Sequence, residues 1–138
     1  MSLPPPDDGR LRISSASPYA DDIGFCAAVR AGDRVVVAGM TAAAADGSIV
    51  GDRDPYEQAT EALRKAREAL EAAGSSFDEV VRTRIFLRHR EHWRDVGRAH
   101  GEALGHVRPA ATMVVCDMLD SRMLVEIEVE AWSPRGTG

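Results

Sequence analysis

Lysine is almost missing from this sequence: Lys65 is the only lysine among its 17 basic residues, the rest being arginine. A Schiff-base enzyme needs a desolvated lysine amine, and position 65 sits inside a charged helical pattern, so that chemistry is excluded. Cysteine is scarce too. Cys26 and Cys116 stand in separate apolar stretches with no Cys-x-x-Cys spacing, which excludes a disulfide framework and leaves each as a small hydrophobe. The four histidines, His89, His92, His100 and His106, include no pair four residues apart, so the helical zinc motif is absent and no metal is expected. There is no Gly-x-Ser-x-Gly elbow and no Walker or dinucleotide glycine pattern, so no phosphorylated cofactor is expected. A basic excess is also lacking. The net charge of -5 argues against a nucleic-acid partner. No apolar run approaches the ~20 residues that span a bilayer, and no secretory h-region is recognisable. The expectation is a cytoplasmic chain with neither membrane nor nucleic acid as partner.

What is present describes one folded unit. The 138 residues, 44% hydrophobic and 28% charged, fit a single domain. Its expected limits are 18–132, between an aperiodic arm (1–17, with Pro4-Pro5-Pro6 and Asp7-Asp8-Gly9) and a polar tail (133–138). Residues 26–29 and 34–38 read as short strands around a turn at Ala31-Gly32-Asp33, and Ile49-Val50 as a brief third. Residues 54–73 carry the clearest helical signal: Asp54 as cap, Pro55 at the first turn, Glu57 completing a capping box and Gly74 as stop. Ala59, Leu63, Ala66, Leu70 and Ala73 share one face, with Glu61→Lys65 and Arg64→Glu68 expected as ion pairs on the other. Residues 80–87 alternate as a strand, placing Val81, Thr83, Ile85 and Leu87 on one side and Arg82, Arg84 and Phe86 on the other. A second helix is expected at 92–104, and strands at 111–116 and 123–132.

The order is therefore β-β-(β)-α-β-α-β-β, an α+β fold with one mixed sheet. Two amphipathic helices cover only one face of it. The other face then carries Arg82, Arg84, Thr112, Val114, Glu126, Glu128 and Glu130, half suited to water and half to a subunit interface. Arg82 and Arg84 are the natural partners of Glu128 and Glu130. Glu126 lies deepest in the apolar run Met123-Leu124-Val125-Glu126-Ile127, where partial desolvation raises a carboxyl pKa and suits it to proton relay. His100 falls on the apolar stripe of its helix and reads as a core histidine bonded to a carbonyl, a catalytic histidine being the alternative.

Four stretches in order carry a resemblance: 33–39 (DRVVVAG), 68–83 (EALEAAGSSFDEVVRT), Arg108-Pro109-Ala110, and 124–131 (LVEIEVEA). Together, from about Ile23 to Trp132, the chain resembles the Rid/YjgF proteins, the reactive-intermediate deaminases once labelled endoribonuclease L-PSP. The resemblance implies a chorismate-mutase-like fold and a homotrimer with a small-molecule cleft between neighbouring subunits. It implies that Glu126 holds the attacking water and that Gly39 supplies the strand-end glycine. The family's cleft tyrosine falls on Phe25, its asparagine on Gly97, and its carboxylate-binding arginine on Ala111 within Pro109-Ala110-Ala111-Thr112. Met113 follows on the same strand, and Arg108 is the alternative cation. The chain thus resembles branches that lack the substrate-carboxylate arginine. What this implies is hydrolysis or isomerisation of an enamine or imine other than the usual 2-iminobutanoate or 2-aminoacrylate, or else a non-catalytic metabolite-binding or regulatory trimer. No cofactor is implied.

Overall fold

The helix expected from Asp54 onward is the longest element of the computed structural model, which describes residues 4–135. This helix, α2 (Pro55–Ala72), starts where Asp54 leaves the helical conformation and its carboxylate accepts the Glu57 N–H at 3.1 Å. It buries Ala59, Ala62, Leu63, Ala66, Ala69 and Leu70. The outer face differs in one pairing. Glu61 bonds Arg64, at 2.7 Å, and Lys65 instead donates to the carbonyls of Thr41 and Ala43 at 2.8 and 2.9 Å. The lone lysine is a staple between helix and loop, and its burial lowers its pKa.

Six strands form one sheet in the order β1-β2-β3-β6-β4-β5. They are β1 (Leu11–Ile13), β2 (Ala28–Ala31), β3 (Arg34–Met40), β4 (Val80–Leu87), β5 (Ala110–Val115) and β6 (Val125–Trp132). Only β4 and β5 run parallel. A one-turn helix α1 (Ala20–Ile23) precedes β2, and α3 (Trp93–Leu104) connects β4 to β5. The expected first strand at 26–29 is displaced to Ala28–Ala31, and the Ile49-Val50 strand reduces to a single bridge between Ala43 and Ile49.

Part of the expected arm is ordered in the sheet. Leu11–Ile13 pairs with β2 and Arg12 holds Asp8 at 2.8 Å; a three-residue strand is too short to show a period of two. The start of the expected tail is held as well. The buried Arg30 donates to the carbonyls of Ala73 and Ser133 and to the Ser133 hydroxyl, at 2.7–2.9 Å. Residues 1–3 and 136–138 of these two segments lie outside the described residues.

β6 is the spine. Val125, Ile127, Val129 and Ala131 are buried beneath α2 together with Val35, Val37, Ile85 and Leu87, each large side chain contributing roughly 1.5–3 kcal/mol by leaving water. The alternation expected in β4 fails at one place. Val80 is opposite Ala131 and Arg82 opposite Glu130, so Val81 is an extra residue, a β-bulge that turns it outward while Val80 takes the core position.

The face without helices carries rows set by the register: Val36, Glu130, Arg82 and Ala110, then Glu128, Arg84 and Thr112, then Glu126, Phe86 and Val114. Glu128 does meet Arg84, at 3.7 Å. Glu130 instead reaches Arg34 on β3, at 2.9 Å, and Arg82 forms no ion pair among the described residues.

Candidate functional site

Glu126 stands one residue into β6, at the end of the sheet where β3 is irregular. Val37 pairs with Val129 and Met40 with Ile127, so Ala38 and Gly39 together oppose the single residue Glu128, a second β-bulge. The bulge lets the Glu126 side chain lie across the β3 backbone. A Cβ at Gly39 would stand 2.7 Å from Glu126 Oε2 and 2.9 Å from its Cδ, closer than carbon and oxygen can approach, so the glycine makes room for the carboxylate. That carboxylate is half-buried and makes no hydrogen bond or ion pair among the described residues. Burial first, and the neighbouring Glu128 charge second, push its pKa above the usual carboxylate range. A partly desolvated, unpaired carboxylate is a proton acceptor held ready near neutral pH.

Two further residues singled out from the sequence gather at this end. Gly39 is the bulge itself. Phe25, 40% exposed, follows the left-handed Gly24. The Ala38 N–H donates to the Ala27 carbonyl at 2.9 Å, which sets the segment of Phe25 beside the bulge. Phe86, directly opposite Glu126 in β4, completes the surroundings. Sequence alternation placed it on the correct face, but only the register makes it a neighbour of Glu126.

The remaining candidates lie elsewhere on the protomer. Ala111 and Met113 are in register with the buried Thr83 and Ile85, so they share the helix-bearing side of the sheet, opposite to Glu126. Met113 packs against the core; Ala111 is exposed on the edge strand. Gly97 sits on α3 with nothing within 4 Å of an added Cβ. Arg108 has a left-handed backbone, φ 58°, where its N–H caps α3 at the Leu104 carbonyl, and its side chain has no partner among the described residues. One protomer therefore brings Gly39 and Glu126 into contact, with the Phe25 segment joined to β3 near the same bulge, and places Gly97, Arg108, Ala111 and Met113 elsewhere, Ala111 and Met113 on the opposite side of the sheet. It does not join the two groups.

His100 belongs with the second group. Its Nε2 is hydrogen-bonded at 2.8 Å to Oγ1 of Thr83, rather than to a carbonyl as its place on the stripe suggested, and burial lowers its pKa. Spacing alone could not reveal Thr83 as its partner, since the two residues are on different elements.

Two polar anchors hold the frame. Gln58, fully buried, donates to the carbonyls of Gly51 and Arg122 and accepts the Leu124 N–H at 2.9 Å, fixing the chain two residues before Glu126. Arg88 binds the carbonyls of Met118, Asp120 and Met123 and the Asp117 carboxylate, tying the loop before β6 to the end of β4. A surface depression of about 270 Å³ is lined by Asp52, Arg53, Ser121, Arg122 and Leu124, and one of about 390 Å³ lies between α2 and α3. Neither is lined by one of the candidate site residues Phe25, Gly39, Gly97, Arg108, Ala111, Met113 or Glu126. Among the described residues no helix is long and apolar enough to cross a membrane.

Comparison with known proteins gives a consistent answer. Residues 15–133 match the family model described as Endoribonuclease L-PSP. The Streptomyces coelicolor protein SCO2049 is 46% identical over 122 residues, 88% of this chain and 90% of that one. The Pyrococcus horikoshii RutC family protein PH0854 is 25% identical over 108 residues, 78% of this chain and 86% of the relative. Among solved structures, Rv2704 of Mycobacterium tuberculosis, described as a member of the YjgF/YER057c/UK114 family, superposes with a TM-score of 0.81 at 38% identity, covering 90% of this chain and 99% of its own.

Proposed function

The chain belongs to the YjgF/Rid family, matched as Endoribonuclease L-PSP, and from that premise we propose that it forms a trimer with small-molecule clefts between its subunits. In each cleft the Glu126 side of one copy meets the Ala111 side of the next. The observation that carries this reading is the Glu126 carboxylate: half-buried, raised in pKa and unpaired among the described residues. The open sheet face supports assembly. It leaves Val36 38% and Val114 44% exposed on the face that carries Arg82, which forms no ion pair among the described residues, a mixture that a second copy both dries and neutralises.

The reaction proposed is hydrolysis of an imine, reached directly or by tautomerisation of an enamine. Glu126 accepts a proton from water as the oxygen bonds to the imine carbon, and the C=N electron pair moves to nitrogen. The nitrogen takes up that proton and one from the new hydroxyl, the C–N bond breaks, and ammonia leaves as the carbonyl forms. Water is consumed, ammonia is released, and Glu126 returns to its carboxylate. Phe25 and Gly39 shape its half of the cleft; Gly97, Arg108, Ala111 and Met113 shape the facing half. Ala111 cannot clamp a carboxylate as arginine does, which removes a charge-assisted contact worth roughly 1.5–3 kcal/mol. The substrate is accordingly not the usual 2-iminobutanoate or 2-aminoacrylate. The endoribonuclease wording is not extended to this chain: its net charge is -5 and three glutamates line the open face, which disfavours a phosphate backbone.

The test has two parts. Light scattering should give three times the chain mass of 14.9 kDa. Imines generated in place by amine and amino-acid oxidases, trapped as semicarbazones, should be removed faster with the protein than without it, and not by the Glu126→Gln variant. Binding of a metabolite without turnover of any imine points instead to a non-catalytic binding protein.

A further inference from the structure

α3 is contacted by α2 along one flank. Tyr56 bonds Glu102 and lies beneath the Arg98 guanidinium, 3.7 Å from ring centre to carbon. Gly97 and Gly101 occupy the flank turned away from those residues, and neither has an atom within 4 Å of an added Cβ. β5 is the edge strand, and its Ala111 is exposed beside Thr83. Gly97, Gly101 and Ala111 thus leave open space on the helix-bearing side between α3 and β5, a trough with Met113 further along the same face of β5. One titratable group is set into it, His100.

The state of that histidine follows from its partner. Thr83 is 1% exposed, and among the described residues its hydroxyl has His100 Nε2 as its one hydrogen-bond partner. If Nε2 carried the proton, the threonine O–H would be buried with no acceptor, a costly arrangement. The hydroxyl therefore donates to Nε2, and the neutral imidazole carries its proton on Nδ1. Among the described residues His100 Nδ1 has no partner, yet it is not sealed off: His92 Nδ1 is the buried side-chain polar atom left without a partner there. Burial lowers the His100 pKa, so the ring stays neutral at physiological pH.

We propose that His100, oriented by Thr83, is a ligand-binding residue of this cleft, donating a hydrogen bond from Nδ1–H to an uncharged acceptor atom of the ligand, a carbonyl oxygen or imine nitrogen. It deepens the proposed function and rests on it, since a second copy must bring Glu126 opposite the trough. In that arrangement the two titratable groups divide the work. Glu126 handles the water, and His100 fixes the end of the molecule that a guanidinium would otherwise hold. The open space at Gly97, Gly101 and Ala111 admits a substituent bulkier than a short alkyl chain.

The experiment uses the full-length assembled protein. Imidazole nitrogen NMR should show His100 as the Nδ1–H tautomer, with its signals moving on addition of benzaldehyde, an uncharged carbonyl probe. Removal of the benzylamine-derived imine and of the leucine-derived imine is then followed for four variants. His100→Phe should lower kcat/KM roughly tenfold, the scale of one lost neutral hydrogen bond. Thr83→Val should do nearly the same by freeing the tautomer, and Thr83→Ser should restore the wild-type rate and NMR spectrum. A merely structural pair would change thermal stability without moving the tautomer or the ligand response. The Nε2–H tautomer, or a wild-type rate in both His100→Phe and Thr83→Val, overturns the assignment to His100. Glu126→Gln with wild-type activity overturns the proposed function itself, whatever His100 does. If the wild type accelerates neither imine and the His100 signals ignore the probe, both fall.

Discussion

The Glu126 carboxylate lies across the backbone of Gly39, so that a single added methyl there would stand 2.7 Å from Oε2. This contact spans two adjacent strands, and it makes the glycine part of the site without giving it any chemistry. Gly39→Ala should swing the carboxylate aside while the fold persists, because the atom displaced is the end of a flexible side chain. The expected result is a stability change of about 1 kcal/mol or less in chemical denaturation, with imine removal reduced to the level of Glu126→Gln.

Glu126 also sets a pH dependence. Its pKa in the folded protein is raised, so the folded state holds a proton more tightly than the unfolded chain between the ordinary carboxylate value and the raised one. Folding stability falls as pH rises through that window. Glu126→Gln, which never ionises, should therefore unfold at a higher temperature than wild type near pH 7 and lose that advantage below pH 4.5, the ordinary value. Thermal melts across pH 4 to 8 read this directly.

Ala111 offers a gain-of-function test. It is exposed on the edge strand, on the side of the open trough. Ala111→Arg should be tolerated with a stability change within about 0.5 kcal/mol. Coupled to a threonine dehydratase, the wild type should leave 2-oxobutanoate release unchanged, and the variant should accelerate it.

Gln58 is the anchor at the start of β6. Replacing it by leucine leaves the Leu124 N–H and the Arg122 carbonyl without their partner, while the Gly51 carbonyl keeps the Asp54 N–H. Two unsatisfied groups, at ~1–3 kcal/mol each, should lower stability by about 2–4 kcal/mol in denaturant titration. Hydrogen exchange should increase first at Leu124 and Val125.

How much of this was legible in the sequence varies by element. α2 announced its cap, its buried face and its stop, because those signals lie within one helix. β6 showed its alternation for the same reason, and with it the semi-buried place of Glu126. β1 was missed because three residues carry no period. Val81 was assigned to the wrong face because a β-bulge is a property of two strands in register. The Glu130–Arg34 pair, likewise, depends on which strand lies beside β6.

By itself, then, the order of residues determined the two main helices, the strand alternation, the half-polar sheet face and the candidate carboxylate, all of them local patterns of hydrophobicity and charge. The tertiary structure alone decided that Gly39 makes room for Glu126, that Thr83 holds His100, and that Arg34 rather than Arg82 pairs with Glu130. Each of those depends on strand pairing between segments far apart in the chain. Register is set by packing of the whole core, and no window of sequence contains it.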